Sequence, residues 1–543
     1  MADGYARLTG KAQCVIVHVD VGTQALGAAV HNASCGRCPV LIFAGLSPYT
    51  IEGEILGSRT EFIHWIQDVP EQRQIVAQYC RYTAELKTGK NIKQMVNRAI
   101  QFATSDPAGP VYLVAAREVM EEVINPYPVR QDVWKPVKSG ALPQHAVELI
   151  ASNLVHAKEP LLITGYSGRN HDTVKELVKL ADAVPGLGVV DMAGTDVCFP
   201  FSHRSSLGLG FSNHESVRTA DVIIVVNCDV PWIPTQCTPR SDAKIIHIDV
   251  DPLKQMMPVF YIAATHRYRA DAETALYQLH TYIARDETCR EILQSEASSH
   301  KWQALADSHA KQLAIFRDFA RSPVDTNHAP SASYLCDQLR RTCPQDTIWC
   351  VEAVTNSHWV SQQLQVDIPG HWINCGGGGL GWSGGASLGI KLASDALHGG
   401  RGKGKFVCQI VGDGSYMFTV PSSVYWIAEK YEIPTLTIVL NNKGWNSPRR
   451  SMLLVHPNGS GSKATNEELA ISFDPSPDYA GIAWAASGHK CWAGCVKSVK
   501  ELAKLLPEAI SSVKAGIGAV LEVRLVDAFP SEPQGREHLT NGA

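Results

Sequence analysis

Residues 405–446 read KFVCQIVGDGSYMFTVPSSVYWIAEKYEIPTLTIVLNNKGWN, and this stretch restricts the fold more than any other. FVCQIV is a mostly apolar run of strand length that ends at Gly412-Asp413-Gly414. VPSSVYWIAEKY has helical length and an apolar face, and the following Ile-Pro breaks it. TLTIVL is a second apolar run, ending at Asn441-Asn442. Two buried strands joined by a helix cannot be a hairpin. They form a βαβ unit, whose crossover is right-handed and leaves both strand ends on one edge of a parallel sheet. Ligands of open α/β sheets bind at that edge.

The same alternation recurs along the chain, so the expected fold class is α/β, with three consecutive parallel-sheet domains. The first, residues 1–135, carries CVIVHV, PVLIFAG and GPVYLVAA with the helical stretch IKQMVNRAIQFATS. A polar, proline-containing linker, PYPVRQDVWKPVKSG, follows. The second, residues 140–315, carries PLLIT, DVIIVVNCDV and AKIIHIDVDP, and closes on a polar helix pair. The third, residues 331–530, holds TIWCVEA, the βαβ stretch and AVLEVRLV. GYSGRN after a strand lacks the third glycine and the spacing of a dinucleotide fingerprint. A length of 543 residues exceeds what one core supports, in keeping with several domains.

A net charge of −4 gives no electrostatic case for nucleic acid or an anionic membrane as a partner. No apolar run approaches the ~20 residues of a membrane span. The fifteen cysteines are scattered, several inside apolar strands, as in a reducing compartment. The expected location is cytoplasmic, with organelle targeting left open. Cys35 and Cys38 form one CxxC without a second pair at zinc spacing, and read as a loop with two thiols.

The chemistry concentrates at the two strand ends. Asp413 offers an anionic oxygen, Asn442 an amide oxygen and Gly444 a backbone carbonyl, a partial shell of the kind Mg²⁺ takes beside phosphates. Gly412, Gly414 and Ser415 bring backbone amides and a helix start within reach of a phosphate. GDG or NN alone would be an ordinary turn. Residues 415–440, 26 in number, separate them, and each motif ends a strand.

That spacing resembles the signature of the thiamine-diphosphate (ThDP) enzymes. GGGGLGWSGGASLGIKLA is similar to the family's glycine-rich segment around the cofactor aminopyrimidine, and ADGYAR followed by VHVDVGT is similar to its pyrimidine-binding domain. The resemblance spans the chain in the order pyrimidine-binding, central and diphosphate-binding domain, and is nearest to the group of acetolactate synthase and benzoylformate decarboxylase. It implies a bulky residue under the bent cofactor, matched by Leu380, and a carbonyl that receives the 4′-amine, matched by Gly378. By the same resemblance Glu352, Thr355 and Asn356 line the diphosphate end, and Trp445 and Asn446 lie near diphosphate and substrate. His18, with three residues between it and Gly22-Thr23, matches a proton-relaying histidine of the benzoylformate decarboxylase pattern. A core histidine at a strand end is the plain alternative. Phe62 and Gln67 fall where acetolactate synthases have substrate-pocket residues.

The resemblance also implies a glutamate ahead of ADGYA that activates the cofactor. Its position falls before Met1, so Met1 is expected to be an internal methionine of a longer chain. The alternative is a paralogue, a disabled ThDP-binding subunit. Glu52, Glu54 and Glu61 share the domain, but none stands at the required position.

The implied function is a ThDP- and Mg²⁺-dependent C–C lyase or transferase acting on a 2-oxo acid. It decarboxylates, carboligates or does both in acetolactate synthase-like manner, with aromatic 2-oxo acid decarboxylation as the alternative. A 2-hydroxyacyl-CoA lyase would need an ADP-binding central domain, and no arginine-rich CoA pocket stands out. The family's central domain binds FAD in acetolactate synthases, and FAD stays open here. A homodimer or homotetramer is implied, with active sites at the interface.

Overall fold

The computed structural model describes residues 1–526 apart from Tyr261, so the last few residues of the expected 331–530 segment lie outside the described residues. The chain divides into two compact units. One comprises Met1–Ser139 with Cys375–Gly404, and the other comprises Gly140–Asn374 with the described part of Lys405–Ala543. All three sheets are parallel α/β layers, as the alternation of runs and helices predicts.

In the first unit four strands lie in the spatial order Gln13–Val17, Val40–Leu46, Val111–Ala116 and Tyr82–Leu86. Val111–Ala116, buried throughout, has neighbours on both sides and reads as a continuous apolar run. ADGYARLT forms the helix Ala2–Thr9, stopped by the left-handed Gly10 (φ 68°). Helix Trp382–Leu397, which follows the glycine-rich segment, packs on it at backbone distance. A Cβ on Gly4 would fall 2.3 Å from the Ala386 carbonyl oxygen, which is why small residues face each other there.

The second unit holds two six-stranded sheets. The strands of the central one run His266–Arg269, Lys244–Asp249, Val222–Val226, Pro160–Thr164, Gly188–Asp191 and Ser206–Leu209. The expected polar helix pair is Glu287–Leu293 and Glu296–Phe319. The other sheet runs Trp372–Asn374, Ile348–Glu352, Val407–Gly412, Leu436–Asn441, Ala519–Arg524 and Trp492–Val496. Within this unit the Trp372 indole N–H donates to the Gly194 carbonyl at 2.9 Å, tying the two sheets together. No helix among the described residues is long and apolar enough to cross a membrane.

The strand order of the last sheet fixes where a ligand can enter. Ile348–Glu352 has its sequence successor, Trp372–Asn374, on one side and Val407–Gly412 on the other. The winding direction therefore reverses between Ile348–Glu352 and Val407–Gly412, and a crevice opens at the carboxyl ends of such a pair. Residues 353–356 leave one strand there, and residues 413–415 leave the other.

Candidate active site

Val407–Gly412 pairs with Leu436–Asn441 in parallel register, with Gly412 opposite Leu440. Asp413 opens the helix Asp413–Phe418, and Pro421 occupies the first turn of the next helix, where its missing N–H costs nothing. Asp413 is 3% exposed. Its carboxylate accepts the Gly414 N–H at 2.8 Å and the Gly444 N–H at 3.1 Å. Those amides favour the ionised form, but burial outweighs them and pushes the Asp413 carboxyl up to about 7.

Around it the acceptors crowd together. The Asn442 side-chain oxygen lies 3.1 Å from both Asp413 carboxylate oxygens and 3.2 Å from the Gly444 carbonyl oxygen. Oxygens in that arrangement repel. Rotating the amide so that its NH₂ points inward relieves the repulsion, and so does a cation among them. One carboxylate, one amide oxygen and one backbone carbonyl make a hard-oxygen set suited to Mg²⁺ or Ca²⁺. A cation would also restore the charge that burial disfavours on Asp413. Asn446, whose amide donates to the Asn442 carbonyl at 3.2 Å, keeps a buried Oδ1 without a hydrogen-bond partner. The residues present fit a metal–diphosphate group.

The loop backbone permits this geometry only with glycine at 444. Its φ is 149°, and a Cβ there would fall 2.1 Å from the Ile471 carbonyl oxygen. Trp445 is fixed next door by its N–H to the same Ile471 carbonyl at 2.8 Å. Thr355 and Asn356 lie in the short turn Val354–Asn356, with the Thr355 hydroxyl 3.5 Å from the Asn442 amide. Thus Thr355, Asp413, Gly414, Asn442, Gly444, Trp445 and Asn446 come together at the reversal point. Ser415 is buried in the first turn behind Asp413, and Glu352 is buried at its strand end.

Three family models match in the same order as the sheets. Residues 1–75 match the thiamine pyrophosphate enzyme N-terminal TPP binding domain, 147–278 the central domain and 352–523 the C-terminal TPP binding domain. This chain belongs to the thiamine pyrophosphate enzyme family. Two relatives are acetolactate synthase large subunits. The one from Haemophilus influenzae is 26% identical over 81% of this chain and 73% of that protein. Isozyme 3 from Escherichia coli is 23% identical over 95% and 84%. Among solved structures, the benzoylformate decarboxylase from Polynucleobacter necessarius shares the fold at a TM-score of 0.74, with 18% identity, covering 96% of this chain and 89% of that one. The chain is therefore a ThDP-dependent enzyme of lyase or transferase type, and thiamine diphosphate is its cofactor.

The remaining expected residues of this family member lie in the first unit. Gly378 is exposed, and Leu380, just ahead of helix Trp382–Leu397, is half-buried. His18 is exposed directly after strand Gln13–Val17, so it is not the enclosed core histidine that its strand end also allowed. Thr23 turns inward and shares a 2.6 Å hydrogen bond with the Tyr112 hydroxyl. Phe62 is 77% exposed, whereas Gln67 is buried with its side-chain nitrogen unpartnered. Glu52, Glu54 and Glu61 are exposed, and the Glu54 carboxylate is taken up by the Ile51 and Glu52 N–H groups at 2.8 and 2.7 Å. Sequence reasoning missed Ile471, whose carbonyl shapes the 444–445 turn, because AISFD carries no motif. It also missed His31 and Asn32, which hold the glycine-rich segment.

Proposed function

We propose that the chain uses ThDP and Mg²⁺ to cleave the bond between the carboxylate and carbonyl carbons of a 2-oxo acid, and that it is acetolactate synthase-like in passing the product to a second carbonyl. The observation that carries the metal assignment is the position of the Asn442 side-chain oxygen, 3.1 Å from both Asp413 carboxylate oxygens and 3.2 Å from the Gly444 carbonyl oxygen. Asp413, the Asn442 amide oxygen and the Gly444 carbonyl would hold the ion, whose charge would offset that of the diphosphate. Amides of Gly412 and Ser415, with Thr355, Asn356, Trp445 and Asn446, would line the diphosphate, and the Gly414 N–H holds the Asp413 carboxylate in place. By the family resemblance Leu380 would lie under the cofactor's pyrimidine end and the Gly378 carbonyl would receive its 4′-amine.

When bound, ThDP supplies a nucleophilic carbon for the 2-oxo group and a sink for the electrons left when CO₂ departs. By its match to the benzoylformate decarboxylase pattern His18 would move a proton, delivering one to the product carbon to yield an aldehyde. Excluding water from that carbon favours carboligation instead. The match of His18 and Gly22-Thr23 to the benzoylformate decarboxylase pattern makes an aromatic 2-oxo acid decarboxylase the second reading. Tyr49, Leu56, Phe62, Trp65 and Ile66 are all exposed, an apolar surface that suits a partner copy. The assembly is a homodimer or homotetramer, with each site drawing on two chains, in a reducing compartment such as the cytoplasm.

Titration of the chain with ThDP, with and without Mg²⁺, tests the binding half of this reading. CO₂ release from pyruvate and benzoylformate, with product analysis, tests the rest. Mg²⁺-dependent binding with acetolactate from pyruvate supports the first reading, and benzaldehyde from benzoylformate supports the second. Binding without turnover of either points to a non-catalytic subunit. No Mg²⁺-dependent binding overturns the assignment. Elution as a monomer that turns over substrate contradicts the shared site.

A further inference from the structure

Helix Gly27–Cys35 grips the glycine-rich segment through two adjacent side chains, both within the first unit. The Asn32 amide nitrogen donates to the Gly379 carbonyl at 2.7 Å, and its oxygen accepts the Gly379 N–H at 3.0 Å. The neighbouring His31 accepts the Gly378 N–H at Nε2, 3.2 Å away. Asn32 is 2% exposed, so these bonds form out of competition with water. The His31 ring is itself placed, edge-on to Tyr79 at 5.5 Å and with Cys35 Sγ 3.7 Å from Nδ1.

The consequence falls on one carbonyl. The peptide between Gly378 and Gly379 is trans, so its C=O points opposite to its N–H. Asn32 holds that N–H, and so the Gly378 carbonyl is aimed away from the helix. The close approaches agree. A Cβ on Gly377 would lie 2.9 Å from His31 Nε2, and one on Gly379 would lie 2.9 Å from the Ala28 carbonyl oxygen, whereas one on Gly378 would meet nothing within 4 Å. Gly377 and Gly379 press on the helix, and Gly378 faces open space.

We propose that His31 and Asn32 are positioning residues that orient the Gly378 carbonyl toward the cofactor's 4′-amine. The inference rests on the proposed role of Gly378. It assigns to the pyrimidine end of the cofactor a pair of residues that act through the Gly378 and Gly379 backbone. Their loss should affect recognition of the aminopyrimidine and leave the diphosphate end alone.

The test uses the full chain and two probes, Mg²⁺–ThDP and Mg²⁺–inorganic diphosphate, titrated by calorimetry. Asn32→Ala and His31→Ala are each expected to weaken ThDP binding by about tenfold, the scale of losing hydrogen bonds in a buried site. Diphosphate binding should stay at the wild-type level. His31→Gln, which keeps an acceptor near Nε2, should recover most of the loss. Hydrogen exchange over residues 375–381 should quicken in the alanine variants and not in His31→Gln. Wild-type ThDP affinity in both alanine variants overturns the inference while leaving the proposed function intact. Equal loss of both probes also overturns it, because the pair would then be serving the fold at large. If the wild-type chain binds diphosphate but not ThDP, the functional reading fails and this inference fails with it.

Discussion

The six-membered ring of Trp445 lies against Gly414 so closely that a Cβ on residue 414 would sit 2.2 Å from the indole Cζ3. The ring has little room to withdraw. It meets Phe418 edge-on with centroids 5.7 Å apart and Phe473 at 4.8 Å. Gly414→Ala therefore forces either Trp445 or the 413–415 turn to move, an overpacking cost of about 1–3 kcal/mol. The Gly414 N–H that orients the Asp413 carboxylate moves with it. The expected outcome is a lower Tm and roughly tenfold weaker Mg²⁺–ThDP binding, read by thermal melts and titration. Unchanged values in both would mean that the indole is free to swing aside.

Asp413 is the one charged member of the proposed metal set. Asp413→Ala leaves an amide and a carbonyl, too little to hold a divalent ion against water. Removing one partner of a buried charge pair costs about 3–5 kcal/mol, so ThDP affinity in saturating Mg²⁺ should drop by roughly two to nearly four orders of magnitude. Affinity in EDTA should be nearly the same for variant and wild type. A variant that kept the wild-type response to Mg²⁺ would place the ion elsewhere.

A second buried carboxylate has no such partner. Asp191 ends the strand Gly188–Asp191, and one of its oxygens accepts the N–H groups of Ala193 and Gly194 at 3.0 and 2.9 Å. Burial nevertheless pushes its carboxyl up to about 7, and the nearby Asp196 charge adds to this. An unfolded aspartate titrates near ~3.9. Between these values the folded chain holds a proton that the unfolded chain has released. Stability is therefore lost as pH rises from about 4 to about 7, by up to about 4 kcal/mol, and levels off above. Asp191→Asn keeps the acceptor oxygen and removes the titration. Denaturant melts near pH 5 and pH 8 should show the variant gaining on wild type at the higher pH. A difference between the two proteins that did not change with pH would show that Asp191 is ionised throughout.

The meeting of Asp413 with Asn442 and Gly444, the proposed diphosphate end, was legible because these groups sit on two contiguous strand ends. An apolar run, a helix and a second run fix the topology, and topology alone brings Asp413 and Asn442 together. What escaped the sequence depends on distant backbone. His266–Arg269 is a strand only because Lys244–Asp249 offers it an edge, and its HRYR side chains are mostly exposed, without alternation to betray it. Trp372–Asn374 spans three residues, too few for any periodicity. The bonds from Asn32 to Gly379 cross 347 residues of sequence, and an asparagine mid-helix gives no hint of where its amide points. The inclusion of residues 375–404 with the first unit is likewise invisible in linear order.

The loop that carries His18 hangs on a buried network. The Tyr112 hydroxyl, fully buried, lies 2.6 Å from the Thr23 hydroxyl and accepts the Gln72 amide N–H at 2.9 Å. Gln72 in turn accepts the Asp20 N–H at 2.9 Å, where the backbone is strained at φ 44°. Tyr112→Phe leaves a threonine hydroxyl and an amide hydrogen short of a partner in a dry site, at a cost of about 1–3 kcal/mol. Exchange of the amides over residues 18–24 should quicken more than that of the sheet. Adding Thr23→Val should recover part of the loss, since removing both partners costs less than stranding one. In a double-mutant cycle the two changes should therefore couple. Purely additive losses, with exchange in the loop unchanged, would mean that the loop is held by Gln72 alone.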